Sequence, residues 1–355
     1  MMSADTTGGG WNAALQLAAG LAGEGFDVAL ALLGPPPAPA RRAALEAAGL
    51  RAIAVHDVAA RYARCFGDMQ AAGQAVSRVV NVTGADAALL HHPGLAAFGP
   101  FSAPVIVTPD SRDVIVASRS ALVNGLEWRA RLLRAGYQAA AATVAPTQAD
   151  AGDIIATHRL RMPPRVIRRG WSAVAPATPG VDIPEYVLAI HADADGRENI
   201  AVLNEAAFLC ATPVMLAGAR AGALPAAGHL WALGELPPGQ LQRWLAGASL
   251  FVSAATGDTD GEAVWRAADA GRPLVLADAP DYRELWDGAA VFTPPGDAVA
   301  LGRALNALMA DADGRRRLGA AARDRAATLA AGTCIREWAE FIRHVATVSG
   351  ARRAA

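Results

Sequence analysis

The chain reads as an α/β protein built from two doubly wound, Rossmann-like domains. Short apolar strands alternate with helices along almost the whole length, the signature of parallel sheets covered on both faces. The alternation pauses at the proline-bearing stretch SAVAPATPGVDIPE (172–185) and then restarts. The 355 residues, 53% of them hydrophobic, supply two cores of ordinary size. The expected domains are 1–172 and 173–355, with a last amphipathic segment at about 333–348 packing back on the first.

In the first half, residues 11–24 (WNAALQLAAGLAGE) carry apolar residues at helical spacing and end at Gly25, and FDVALALLG follows as a buried strand. A helix at 40–48, a strand at 50–55 (LRAIAV) and a helix at 69–82 come next. DAALLHH (86–92) and PVIVTPDS (104–111) read as strands with polar ends. A helix at 118–141, the strand and turn ATVAPTQAD (142–150) and RVIRRG (165–170) close this half. The second half repeats the scheme with strands YVLAIH, PVMLAG, HLWALG, SLFVSAA, PLVLAD and AAVFTPP. Between them lie helices at 198–209, 238–246, 261–270 and 280–286, and two more follow at 297–310 and 313–329. A doubly wound domain opens with a strand before its first glycine-rich turn. Here MMSADTTGGGW offers only Met1 to Ala4 for it, so a truncated first strand is expected.

Composition removes several function classes. The 32 basic residues balance 33 acidic ones to a net charge of −1, which leaves no electrostatic footprint for nucleic acid. Every basic residue is Arg, so lysine Schiff-base and P-loop chemistry are excluded. Cys65, Cys210 and Cys334 are isolated and fit no metal spacing; they suit a reducing cytoplasm, the expected location. The longest apolar tract is interrupted by Glu24 and Asp27, so no transmembrane segment is expected, and no leader peptide is read.

Some side chains invite a functional reading from position alone. Gly8, Gly9 and Gly10 precede the first helix, where backbone N–H groups can approach a ligand. His91 and His92 end a strand, the edge where open α/β sheets bind ligands, but neighbours on a strand face opposite ways and do not chelate one metal. Asp110 ends the next strand and could orient a ligand hydroxyl or act as a base. Asp193 and Asp195 read as helix caps, not as a metal site. Trp231, Trp244, Trp265 and Trp338 sit in apolar patterns and read as packing residues.

The segments GGGWNAALQLAAGLAGEGFDVALALLG, ATVAPTQADAGDI with PRVIRRG, and GELPPGQLQRWLAGASLFVSAATGDTDGEAVWRAADAGRPLVLAD together resemble family 4 glycosyltransferases of the GT-B fold. The resemblance implies a nucleotide-diphosphate sugar bound by the second domain, an acceptor bound by the first, and reaction in the cleft between them with retention and without an essential metal. It implies no cofactor, a sugar, lipid-linked or polysaccharide acceptor, and a hexosyltransferase class of reaction. Asp258 falls on the first acid of the family's E-x7-E element, Gly261 on the glycine that opens its helix, and Arg266 on the second Glu. His191-Ala192 and Glu198, with Arg197 beside it, fall where the family carries basic residues; Asp110 falls on its acceptor-side histidine, and Arg169-Gly170 on its Asn-Gly pair. The donor set this implies is Arg169, Gly170, Arg197, Gly261, Glu262 and Arg266. Asp110 and Asp258 are the catalytic expectation, and Gly8, Gly9, Gly10 and His91 the acceptor side. Because the donor motif is divergent, two readings stay open. One is a transferase with a relocated arginine clamp; the other is a non-catalytic GT-B-like binding or partner protein.

Overall fold

The computed structural model describes residues 1–7, 10–60, 63–109, 127–172, 178, 185–191, 199–218, 229–256 and 261–354, without the side chains of 238 and 350–354. The chain divides into two compact units, Met1–Gly170 with Ala331–Ala355, and Trp171–Ala330.

Unit 1 holds a parallel sheet in the order β3-β2-β1-β4-β5-β6-β7. Its strands are β1 (Met2–Asp5), β2 (Ala29–Leu33), β3 (Arg51–His56), β4 (Ala88–Leu90), β5 (Val105–Val107), β6 (Ala142–Ala145) and β7 (Arg165–Val166). All residues of β2, β4 and β5 are buried, as the unbroken apolar runs predict for parallel strands covered on both faces. The short β1 lies at the centre, pairing β2 from Met2↔Leu30 to Asp5↔Leu33 and β4 at Met2↔Leu89. The helices are α1 (Gly10–Gly23), α2 (Pro39–Ala47), α3 (Phe66–Thr83), α4 (Glu127–Ala139) and α5 (Gln148–His158), with a 3₁₀-helix at Pro93–Phe98. α5 opens on Thr147, whose hydroxyl accepts the Asp150 N–H at 2.9 Å, a side-chain N-cap.

Unit 2 holds a parallel sheet in the order β10-β9-β8-β11-β12-β13. Its strands are β8 (Val187–Ile190), β9 (Val214–Ala217), β10 (Leu230–Gly234), β11 (Leu250–Ser253), β12 (Leu274–Ala277) and β13 (Ala290–Thr293). The helices are α6 (Ile200–Phe208), α7 (Pro238–Gly247), α8 (Glu262–Asp269), α9 (Pro280–Trp286), α10 (Ala298–Ala310) and α11 (Ala312–Thr328). The final helix α12 (Ala331–Ala354) belongs to unit 1 and runs longer than its amphipathic pattern implied. Its Trp338, Ala339, Ile342 and Val345 join Trp11, Ala18 and Leu21 of α1 in one core, and Ile335 fills the space Gly20 leaves by lacking a side chain.

Three of the four tryptophans read as packing residues do pack. Trp265 and Trp338 are buried, and Trp244 meets Tyr186 edge-on with ring centroids 5.2 Å apart. Trp231 does not: it is 65% exposed on β10, an outermost strand. Past Leu230 neither face of this edge strand is buried, since Trp231 and Ala232 are both exposed, so an apolar residue there stays in solvent.

The packing of unit 1 can be probed at two points. A Cβ at Gly136, on α4, would overlap the Pro93 carbonyl of the 3₁₀-helix. Gly136→Ala should therefore cost about 1–3 kcal/mol, read as a lowered denaturation midpoint, because backbone cannot yield as a side chain can. His158, the last residue of α5, is buried with its ring 4.7 Å from that of Tyr137. Burial, with the Arg134 charge adding to it, lowers its pKa to about 4 from an ordinary 6.5. Between those values the unfolded chain binds a proton that the folded chain refuses, so stability is full above pH 6.5 and falls toward pH 4. His158→Phe should flatten the stability profile in that window; an unchanged slope would refute the assignment.

Candidate functional site

In open parallel sheets the strand order reverses at a switch point, and ligands gather at the carboxyl ends of the strands that flank it. Unit 1 has its switch between β1 and β4, and unit 2 between β8 and β11.

At the unit 1 switch, Ser3 of β1 holds His91 twice. Its hydroxyl accepts the His91 backbone N–H at 2.9 Å, and its carbonyl accepts the ring Nδ1–H at 2.6 Å. A serine in the middle of a buried strand is thereby satisfied. β4 stops at Leu90, so both histidines lie just beyond the strand and not on it. His92 serves the backbone instead, since its Nδ1 accepts the Gly94 N–H at 3.2 Å and caps the 3₁₀-helix. On the other side, the Thr6 hydroxyl bonds to the Leu33 carbonyl at 3.2 Å, and Arg41, which stacks over Trp11, donates to the Thr6 carbonyl. Gly10 is the first residue of α1, while Gly8, Gly9 and Asp110 lie outside the described residues.

The segment after β7 runs through Arg168, which is exposed, and Arg169, which is half-buried, to Gly170. Gln16 of α1 donates to the Gly170 carbonyl at 3.0 Å and pins this turn beside the first helix. The Cys334 thiol also lies here; burial pushes its pKa up to about 11, so it stays protonated and inert.

At the unit 2 switch, the exit of β8 is braced by the exit of β9. The His191 N–H donates to Ala217, and Gly218 adopts φ +87° against the His191 carbonyl, an approach no Cβ would survive. Asn199, in the left-handed region at φ 48°, sends its side-chain amide to the Ala254 carbonyl at 3.1 Å and ties the start of α6 to the end of β11. The sequence reading placed Asn199 inside a helix at 198–209, whereas the helix begins at Ile200 and Asn199 precedes it, a residue type that tolerates this conformation. Ser253, the last residue of β11, meets the Tyr282 hydroxyl at 3.0 Å. Asp278, just past β12, receives a two-pronged Arg283 at 2.6 and 2.8 Å, which holds its carboxyl below the usual range. Arg197 and Asp258 lie outside the described residues, as do Ala192 and Glu198.

Helix α8 carries the remaining expected donor residues. Gly261 caps it at φ 71°, a backbone state that costs glycine nothing. Glu262 follows in the first turn, and one turn on, Arg266 bonds to Glu262 Oε1 through Nε at 2.8 Å and Nη2 at 2.5 Å. The two side chains are only 20% and 22% exposed, so this is a desolvated pair and not a solvated surface contact. The guanidinium on the second-Glu position is thus engaged within its own helix, and the carboxylate at the helix N-terminus is neutralised. Among the described residues, no group of three or more His, Cys, Asp or Glu could hold a metal ion. No helix among them is long and apolar enough to cross a membrane.

Two parallel α/β units in one chain, each with its own switch point, are the arrangement found in glycosyltransferases of the GT-B fold. Residues 7–172 match the model of Glycosyltransferase Family 4. Solved structures agree in fold over nearly the full length. Sucrose-phosphate synthase from Thermosynechococcus elongatus is 16% identical with a TM-score of 0.79, covering 98% of both chains. Anabaena HepE in complex with UDP-glucose is 15% identical with a TM-score of 0.76, over 97% of this chain and 98% of that one. WaaG, a glycosyltransferase involved in lipopolysaccharide biosynthesis, is 14% identical with a TM-score of 0.72, over 96% and 99%. No curated protein matches the chain in sequence.

The hydrogen bonds at the unit 1 switch fix opposite tautomers for neighbouring rings. Long-range ¹⁵N–¹H NMR at a mildly alkaline pH should find His91 protonated on Nδ1 and His92 on Nε2. The same tautomer at both would contradict the arrangement.

Proposed function

We propose that the protein transfers a sugar from a nucleotide-diphosphate donor to an acceptor, with retention and without an essential metal. The observation that carries this reading is the family match over 7–172 joined to a second parallel unit with a glycine-capped helix beside its switch strand. That HepE is described with UDP-glucose makes a uridine nucleotide the first to try. In this reading unit 2 takes the donor through Gly261, Glu262, Arg266 and Arg197. Arg169 and Gly170 supply the remaining phosphate contacts, and Gly8, Gly9, Gly10 and His91 face the acceptor. Asp110 and Asp258 are the proposed catalytic carboxylates.

The chemistry asks for positive charge. The departing diphosphate gains negative charge as its bond to the anomeric carbon breaks, and the site lowers the barrier by aiming cations and N–H groups at it. The first turn of α8 offers N–H groups. The Glu262–Arg266 pair offers less, since its fork is already bonded to a carboxylate. That observation favours a second reading, a binding or partner protein that keeps the GT-B shell without catalysis.

Thermal shift with UDP, GDP and ADP separates the two. One nucleotide should stabilise the protein, by about 2.7 kcal/mol at a hundred times its Kd. Glu262→Gln removes the carboxylate and releases Arg266, so it should tighten that nucleotide roughly two- to fivefold, the worth of one charge at a helix end. Silence from every nucleotide, in wild type and variant alike, would leave the non-catalytic reading.

A further inference from the structure

The ladder between β1 and β4 changes partners at the unit 1 switch, where an ordinary parallel ladder would continue. The two strands pair at Met2↔Leu89, and the Leu89 N–H donates to the Met1 carbonyl at 2.9 Å. Bonds in a parallel ladder are evenly spaced, so two residues on, the His91 N–H is due on the Ser3 carbonyl. Instead that N–H donates to the Ser3 hydroxyl at 2.9 Å, and the carbonyl receives the His91 ring Nδ1–H at 2.6 Å. The exchange needs a hydroxyl at this residue. Ser3 is 2% exposed in the central strand of the sheet, while β2 and β4 on either side are wholly apolar. A hydroxyl so placed costs stability unless it is bonded, and an apolar residue would suit the core better.

We propose that Ser3 is a positioning residue for His91. Its hydroxyl takes the backbone N–H, which leaves its carbonyl to hold the ring and makes Nε2 the hydrogen-bond acceptor of the imidazole. A carbonyl oxygen only accepts, so Nδ1 carries the proton and Nε2 its lone pair. At the carboxyl edge of a switch point, such an acceptor orients a ligand that donates a hydrogen bond, a hydroxyl above all. An acceptor-only group, such as a phosphate oxygen, gains nothing from it while the ring is neutral. Calling that hydroxyl the nucleophile of a glycosyl transfer rests on the proposed function; the assignment of Ser3 does not. His92 is the internal control. It spends Nδ1 as an acceptor for the Gly94 N–H and owes its tautomer to no strand residue.

The test reads ring tautomers by long-range ¹⁵N–¹H NMR on the full chain labelled at histidine, with His91→Gln to assign the signal. In Ser3→Ala the His91 N–H, fixed by the backbone, should take the carbonyl, and the ring, free to turn about two bonds, should leave it. The His91 signal should change from Nδ1–H alone to a mixture of both tautomers. Ser3→Cys, close in size but with a sulfur that accepts weakly, should do the same. Ser3→Thr keeps the hydroxyl and suits a strand, so it should keep Nδ1–H. His92 should stay protonated on Nε2 throughout. A His91 ring still purely Nδ1–H in Ser3→Ala and Ser3→Cys overturns the proposal, as does its release in a folded Ser3→Thr. A change at His92 as large as that at His91 would mark a general disturbance and overturn it equally. The role of Nε2 is read as UDP release from UDP-glucose, with water as the hydroxyl donor. Release should fall about threefold to tenfold in Ser3→Ala, the worth of one hydrogen bond, and return in Ser3→Thr. Unchanged release with the ring freed overturns that role. No release from the wild type sinks the transfer reading, while the tautomers still decide for or against Ser3.

Discussion

The parallel strand direction is the constraint on which the rest of the molecule depends. When every strand in a sheet runs the same way, every strand-to-helix connection leaves from the same edge. Polar residues scattered along the sequence are thereby collected without any contact between them having to specify it. Ser3, Thr6 and His91 come together in unit 1 for this reason, and His191, Ser253 and Asp278 share an edge in unit 2 for the same reason. At both switch points the exits are also cross-braced. Ser3 grips His91 at two points, and Gly218 lies so close to the His191 carbonyl that no larger residue fits. A site built on such exits inherits the rigidity of the buried strands behind it.

Charge is handled in an unusual way on this scaffold. With no lysine in the chain, guanidinium is the only permanent side-chain cation, and its planar fork seeks carboxylates two bonds at a time. Arg283 takes Asp278 in that manner, and Arg266 reaches one Glu262 oxygen with two of its nitrogens. The second pair stands at the first turn of α8, where the helix already favours an anion. A bare carboxylate there would repel a diphosphate, whereas the paired one presents a nearly neutral surface. The pair therefore removes an obstacle more than it supplies an attraction. Any strong phosphate grip must come from backbone N–H groups and from cations elsewhere.

Much of this was legible in the sequence, because burial on both faces writes itself as unbroken apolar runs. β2, β9 and β12 are wholly buried and stand within the apolar segments that predicted them. Trp231 escaped because an apolar residue on an edge strand looks the same in sequence as one in the core. The Glu262–Arg266 pair was open to view as an i, i+4 spacing, yet the match of Arg266 to the second Glu of the family's element pointed toward a ligand and away from its neighbour. The division of labour between His91 and His92 was not readable at all. His91 finds Ser3 only when β1 pairs with β4, whereas His92 meets its own near neighbour Gly94 once the 3₁₀-helix forms.

Unit 1 also shows how a discontinuous stretch of chain makes one core. Its last helix, α12, follows all of unit 2 in sequence but packs on α1 through Trp338, Ile342 and Val345. Closing so long a loop costs less than its length suggests, because loop entropy grows only with the logarithm of residue number. The cost falls further once Trp171–Ala330 is folded, since Trp171 and Ala330 then form a β-bridge and the flexible loop becomes a compact body with adjacent ends. The bridge thus does for unit 1 what a short hairpin does for two strands. It delivers α12 to α1 with most of the search already made, and the contact between Ile335 and Gly20 needs only side-chain packing to form.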